Sequence, residues 1–69
     1  MIVEYDRQAD AIYIRLRDVE PTTTRELDDH VIVDLDESGK MVGIELLFVS
    51  DYLRPEDIES LTVTNLLAS

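Results

Sequence analysis

The chain has no cysteine and no tryptophan, a single histidine, two glycines and two prolines in 69 residues. Without cysteine it can form neither a disulfide nor a thiolate metal ligand, and it has no thiol nucleophile; this usage fits a reducing compartment. With His30 alone, and with Ser38, Ser50, Ser60 and Ser69 outside any motif that supplies a base or an oxyanion hole, hydrolytic relays have no parts to draw on. The two glycines, Gly39 and Gly43, do not build a phosphate loop. Aromatics make up 6%, too few for a platform on which bases stack. No apolar run approaches the roughly 20 residues that span a bilayer, and the opening residues Met-Ile-Val-Glu-Tyr-Asp lack the basic and apolar regions of a signal peptide. The expectation is an unexported, cytoplasmic protein with no cofactor and no catalytic role.

Bases are scarce too. Six Lys and Arg stand against 16 Asp and Glu, a net charge of −10. Residues 1–17 balance Glu4, Asp6 and Asp10 against Arg7, Arg15 and Arg17, whereas residues 18–60 hold 13 acids against Arg25, Lys40 and Arg54. Such a surface repels phosphates and attracts a basic protein or a cation, so nucleic acid is not an expected partner.

What is present is alternation. In residues 31–47, Val31, Val33 and Leu35 alternate with polar or smaller neighbours, and Val42, Ile44 and Leu46 do so on the return. This period of two marks half-buried strands. Pairing Asp36 with Met41 across Glu37-Ser38-Gly39-Lys40 sets Leu35 opposite Val42, Val33 opposite Ile44 and Val31 opposite Leu46, all on one face. Residues 2–6 and 11–17 give a first hairpin by the same logic, with Asp6 opposite Ala11, Tyr5 opposite Ile12 and Val3 opposite Ile14. The segments 2–16 and 32–46 align without gaps at an offset of 30, with identities at Ile2/Ile32, Val3/Val33, Asp6/Asp36, Ile14/Ile44 and Leu16/Leu46.

Between the hairpins, residues 18–23 read as a loop around Pro21, residues 24–27 as a short strand and Asp28-Asp29 as a bend. Residues 50–53 and 55–61 read as short helical turns, the second with Pro55 at its first position and acids near its positive end. Residues 61–66 alternate again and suit a final strand, or a helical end. The expected fold is therefore a single α+β domain over 1–69: an antiparallel sheet of two similar β-hairpins with a short helical C-terminal segment. So short a chain has little core of its own, and a homodimer or bound partner is expected. Opposite the main apolar face lie Ile2, Tyr13, Ile32, Met41 and Leu47, mixed with Glu4, Arg15, Asp34 and Glu45. Ile2, Tyr13, Arg15, Ile32 and Leu47, with the acidic edge Glu26, Asp28 and Asp29, are the expected partner-binding residues, and the face bearing Ile2, Tyr13, Ile32 and Leu47 is the one through which a homodimer is expected.

One spacing invites a metal. Asp34, Asp36 and Ser38, followed by Gly39 and then Glu45, match the positions of a calcium loop. That loop needs flanking helices, and here both flanks alternate as strands, so a hairpin is the expected reading and no metal site is expected.

The runs Tyr5-Asp6, Ala9-Asp10-Ala11, Tyr13-Ile14, Val33-Asp34, Asp36, Gly39 and Gly43-Ile44-Glu45, spread over residues 2–50, resemble those of the bacterial family called domain of unknown function 2283, or YuzE-like. The resemblance implies a small cytoplasmic protein without an assigned activity. For some members it implies an antitoxin beside a small ribonuclease-like toxin. The expected function is a non-catalytic, antitoxin-like inhibitor of a basic toxin; a stand-alone homo-oligomeric module is the alternative. Residues 51–69 carry no sign of the family.

Overall fold

A computed structural model describes residues 1–63 of the chain. Five strands, β1 (Ile2–Asp6), β2 (Ala11–Arg15), β3 (Thr23–Asp28), β4 (Val31–Leu35) and β5 (Met41–Leu47), form one antiparallel sheet in the order β1-β2-β5-β4-β3. A 3-10 turn (Val49–Asp51) and one short helix, α1 (Pro55–Glu59), follow. The fold is thus mostly sheet. Residues 61–63 are irregular, so a strand beginning at Leu61 does not form there, and the rest of that expected element lies outside the described residues.

Sequence alternation sets the register because slipping by one residue would turn every aliphatic side chain to the wrong face. β1 pairs with β2 through Val3↔Ile14, Tyr5↔Ile12 and Asp6↔Ala11. β4 pairs with β5 through Val31↔Leu46, Ile32↔Glu45 and Val33↔Ile44. The expected pairing of Leu35 with Val42 is corrected. After Asp34↔Gly43 the register shifts and Leu35 opposes Met41, which leaves Val42 as the extra residue of a bulge. The cause lies in the turn, where Asp36 N–H donates to Lys40 O (2.8 Å) and Gly39 N–H to Asp36 O (2.9 Å). Gly39 sits at φ 82°, where a Cβ would be strained, and closes this loop one residue tighter on the β5 side. β3 is longer than expected and carries a second irregularity between Glu26 and Asp28, so Asp28 pairs with Val31 and the bend moves to Asp29-His30.

The tail is fastened at the Asp10 corner. Val49 N–H donates to Asp10 O (3.0 Å), and Ser50 donates its N–H (3.0 Å) and hydroxyl (2.6 Å) to the Asp10 carboxylate. Val49 is fully buried. Pro55 begins α1, Arg54 N–H donates to the Asp57 carboxylate (2.8 Å), and the helix brings Ile58 beside Tyr5 and Arg7. The described residues form a slab of 36 × 36 × 17 Å whose buried apolar side chains are only Ala11, Ile12, Val33, Val42 and Val49, the two last fully so.

Candidate functional site

The pairings place Glu4 and Asp6, Ala11, Tyr13 and Arg15, Gly43, Glu45 and Leu47, Ile32 and Asp34, and Thr24 and Glu26 on one face, opposite the main apolar face. Tyr13 is its centre. Its direct neighbours across the strands are Glu4 and Glu45, but its ring leans diagonally over Gly43 and donates its hydroxyl to Asp34 Oδ2 at 2.7 Å. A Cβ on Gly43 would overlap that hydroxyl and lie 2.6 Å from the ring carbon Cζ. Glycine at 43 is therefore what lets the tyrosine cross the strand. Thr24 donates its hydroxyl to the other Asp34 oxygen at 2.9 Å, so a hydrogen-bonded row runs from β2 over β5 to β4 and β3. The bond to Asp34, helped by burial, raises the Tyr13 pKa above the usual 10.0, since the carboxylate favours the protonated phenol. The Arg15 guanidinium lies 6.0 Å from the Tyr13 ring centroid, at the outer limit of a cation–π contact.

The two tight turns use carboxylates alike and end differently. Asp6 Oδ1 accepts from Gln8 N–H (3.0 Å) and Ala9 N–H (3.1 Å). Thirty residues on, Asp36 Oδ1 accepts from Ser38 N–H (2.8 Å) and Lys40 N–H (3.0 Å). Asp36 has a further partner. Arg17 Nη2 donates to its Oδ2 at 2.6 Å while Arg17 Nε donates to Met41 O at 3.1 Å. The Arg17 bond first, and then the Lys40 N–H, hold the Asp36 carboxyl down at about 2. At the equivalent of Arg17 in the second repeat stands Leu47. Beside Asp6 there is consequently a notch lined by Glu4, Asp6, Glu45, Ala9, Tyr13 and Leu47, with three carboxylates and no arginine among its lining residues.

Among the residues expected to bind a partner, Tyr13, Arg15, Ile32 and Leu47 are half-buried on this one face. Ile2, 55% exposed, lies on edge strand β1 opposite Arg15. Glu26 is exposed on the opposite edge strand, β3, paired with Ile32. Asp28 and Asp29 are exposed at the β3–β4 turn, where Asp28 Oδ1 accepts from His30 N–H at 2.7 Å. The apolar group thus spreads across the face from β1 to β4, and the acidic group lies at the β3 edge and its turn, the two meeting at the Ile32↔Glu26 pair. Asp6 is not among the expected residues, although the repeat singles it out: the shared Asp6/Asp36 is accompanied by the exchange of Arg17 for Leu47.

Residues of the calcium spacing are not brought together. Asp34 opposes Gly43 rather than Glu45 and is engaged by Tyr13 and Thr24, while Asp36 is engaged by Arg17 and its own turn. Among the described residues, no three His, Cys, Asp or Glu side chains are grouped to hold a metal ion. No helix of the described residues is long and apolar enough to cross a membrane.

No curated protein and no solved structure matches this chain. Residues 2–50 match the family described as protein of unknown function, DUF2283, a span that takes in all five strands and stops inside the 3-10 turn. Since this is well over half of the 69 residues, the chain belongs to the DUF2283 family of proteins of unknown function.

Proposed function

We propose that the chain is a non-catalytic interaction protein, antitoxin-like, which masks a small basic ribonuclease-type toxin in the cytoplasm. The supporting observation is the notch beside Asp6, in which Glu4, Asp6 and Glu45 share a wall with the Tyr13 ring and the apolar Leu47. An arginine from a basic partner suits it: the guanidinium would meet carboxylates, its stem Leu47, and its plane the tyrosine. Within the chain the counterpart of Asp6, Asp36, is already bonded by the guanidinium of Arg17. A surface that cleaves RNA is rich in cations, and an acidic sheet face covers it by complementarity.

The test is capture, by the tagged protein, of the product of the neighbouring reading frame, followed by binding kinetics at about 50 and 500 mM salt, which take the screening length from above to below ~10 Å. The expected result is a basic partner whose association slows by more than tenfold at the higher salt. No basic partner, or binding indifferent to salt, overturns the proposal. A stand-alone homo-oligomeric module is the second reading, favoured by how few side chains the sheet buries.

We also infer that β1–β2 and β4–β5 are two copies of one hairpin, with β3 added at the edge beside β4. Support comes from the β2–β5 pairing, where Ile14 opposes Ile44, its own counterpart at the offset of 30. Tyr13↔Glu45 and Arg15↔Gly43 then exchange under the same operation. A local twofold axis between Ile14 and Ile44, with like turns at Asp6 and Asp36, accounts for all of this.

A further inference from the structure

We infer that the main apolar face of the sheet is where two copies of this chain pack, sheet on sheet, leaving both acidic faces outward. The inference concerns self-association and holds whether or not a basic partner exists. Along β2, β4 and β5 that face is aliphatic, yet Ile14, Leu16, Val31, Leu35, Ile44 and Leu46 are only half-buried. Of the apolar row only Ile12, Val33 and Val42 are buried. Among the described residues the tail covers one corner, where α1 reaches Tyr5, and Tyr5 is still 44% exposed.

A second copy is the occupant that charge and area favour. With a net charge of −10, two copies repel unless the touching surfaces are nearly uncharged. Acids are segregated accordingly. Glu4, Asp6, Asp34 and Glu45 project from the opposite face. The pairings put only Arg25 and Asp28 on the apolar side, both on edge strand β3. Two antiparallel sheets with apolar inner faces stack about 10 Å apart into a sandwich, a standard way for a one-sided sheet to acquire a core. A stable interface takes roughly 800 Å² from each partner, and a molecule 36 × 36 Å in its long dimensions and only 17 Å thick offers its broad faces, not its edges, for such a contact. The acidic notch lies on the other side and is not obstructed.

Because the chain has no cysteine, a single introduced thiol reports on one face. Ile14→Cys and Ile32→Cys place it at the centre of the apolar face and on the acidic face. Alkylation of each would be followed from about 1 to 500 µM protein, bracketing the weaker affinities usual for interfaces of this size, with the mass of the unmodified chain measured by light scattering. The expected result is twice the 7.9 kDa chain mass at the upper concentrations, and a rate at Ile14→Cys that falls at least tenfold over the range while that at Ile32→Cys stays constant. A monomer mass throughout overturns the inference. So does protection at Ile14→Cys that does not vary with concentration, which would show the chain covering its own face. Concentration-dependent protection at Ile32→Cys instead would place the interface on the other side and overturn it equally.

Discussion

At the scale of single residues, Tyr13 and Gly43 behave as one unit. They stand at equivalent places in the two repeats, but the site beside the Ile14/Ile44 pair has room for one ring, which leans across the other strand. Gly43→Ala should destabilise by about 1–3 kcal/mol through overpacking. Tyr13→Ala made together with it should remove most of that added cost, a strongly non-additive cycle in urea unfolding. The Ile14 carbonyl, 3.2 Å from the same Cβ, leaves a remainder. Tyr13→Phe should cost about 1 kcal/mol, the usual net value of a hydrogen bond. Its pH dependence has a definite sign. The folded pKa is raised, so the contribution is whole below 10 and lost as the pH rises through the folded value. Unfolding free energies of wild type and Tyr13→Phe should therefore converge in strong alkali.

At the scale of elements, turns decide what alternation cannot. Met41 and Val42 are both apolar, so the pattern in that stretch is satisfied whether Leu35 meets one or the other. The five-residue closure from Asp36 to Lys40, with Gly39 at positive φ, selects Met41. Farther along β4 and β5 the pairings Val33↔Ile44 and Val31↔Leu46, which set branched or aliphatic residues of both strands on one face, are legible in the sequence. So was the first hairpin, whose turn adds no bulge. Legibility ends where side chains reach across strands. That Tyr13 and Asp34 share a face follows from parity, but that they bond over Gly43 depends on a diagonal lean that sequence spacing does not encode. The ion pair between Arg17 and Asp36, 19 residues apart, was hidden for the same reason. It carries a prediction for the β4–β5 turn. A carboxyl held at about 2, against 3.8 when unperturbed, contributes stability that is present above about 4 and lost as the pH falls through 2. Replacing Arg17 by methionine should flatten the fall of thermal midpoint with acidification in that window. Equal slopes for the two proteins would show that the pair does not hold the turn.

At the scale of the whole molecule, charge and anchoring should separate kinetically. On the proposed function, Glu26, Asp28 and Asp29 are exposed at an edge and turn away from the notch, so neutralising all three should mainly slow association with a basic partner. Tyr13→Ala removes the wall of the notch and should mainly speed dissociation. Surface-plasmon traces resolve the two rates, and the reverse partition would place the contact at the β3–β4 turn instead of beside Asp6.

The strand order holds a consequence for how the chain comes apart. β1–β2 and β3–β4–β5 are each local ribbons, and the seam between them, from Ala11↔Leu47 to Arg15↔Gly43, joins residues far apart in sequence. Only one covalent connection crosses from ribbon to ribbon, the exposed stretch 17–22. Cut there, the protein becomes two peptides that still present complementary edges: a hairpin with Ile12 and Ile14, and a meander with Ile44 and Leu46. Such halves, fused to two other proteins, should find each other only when their hosts are brought close, which would make the seam the working part of a split reporter.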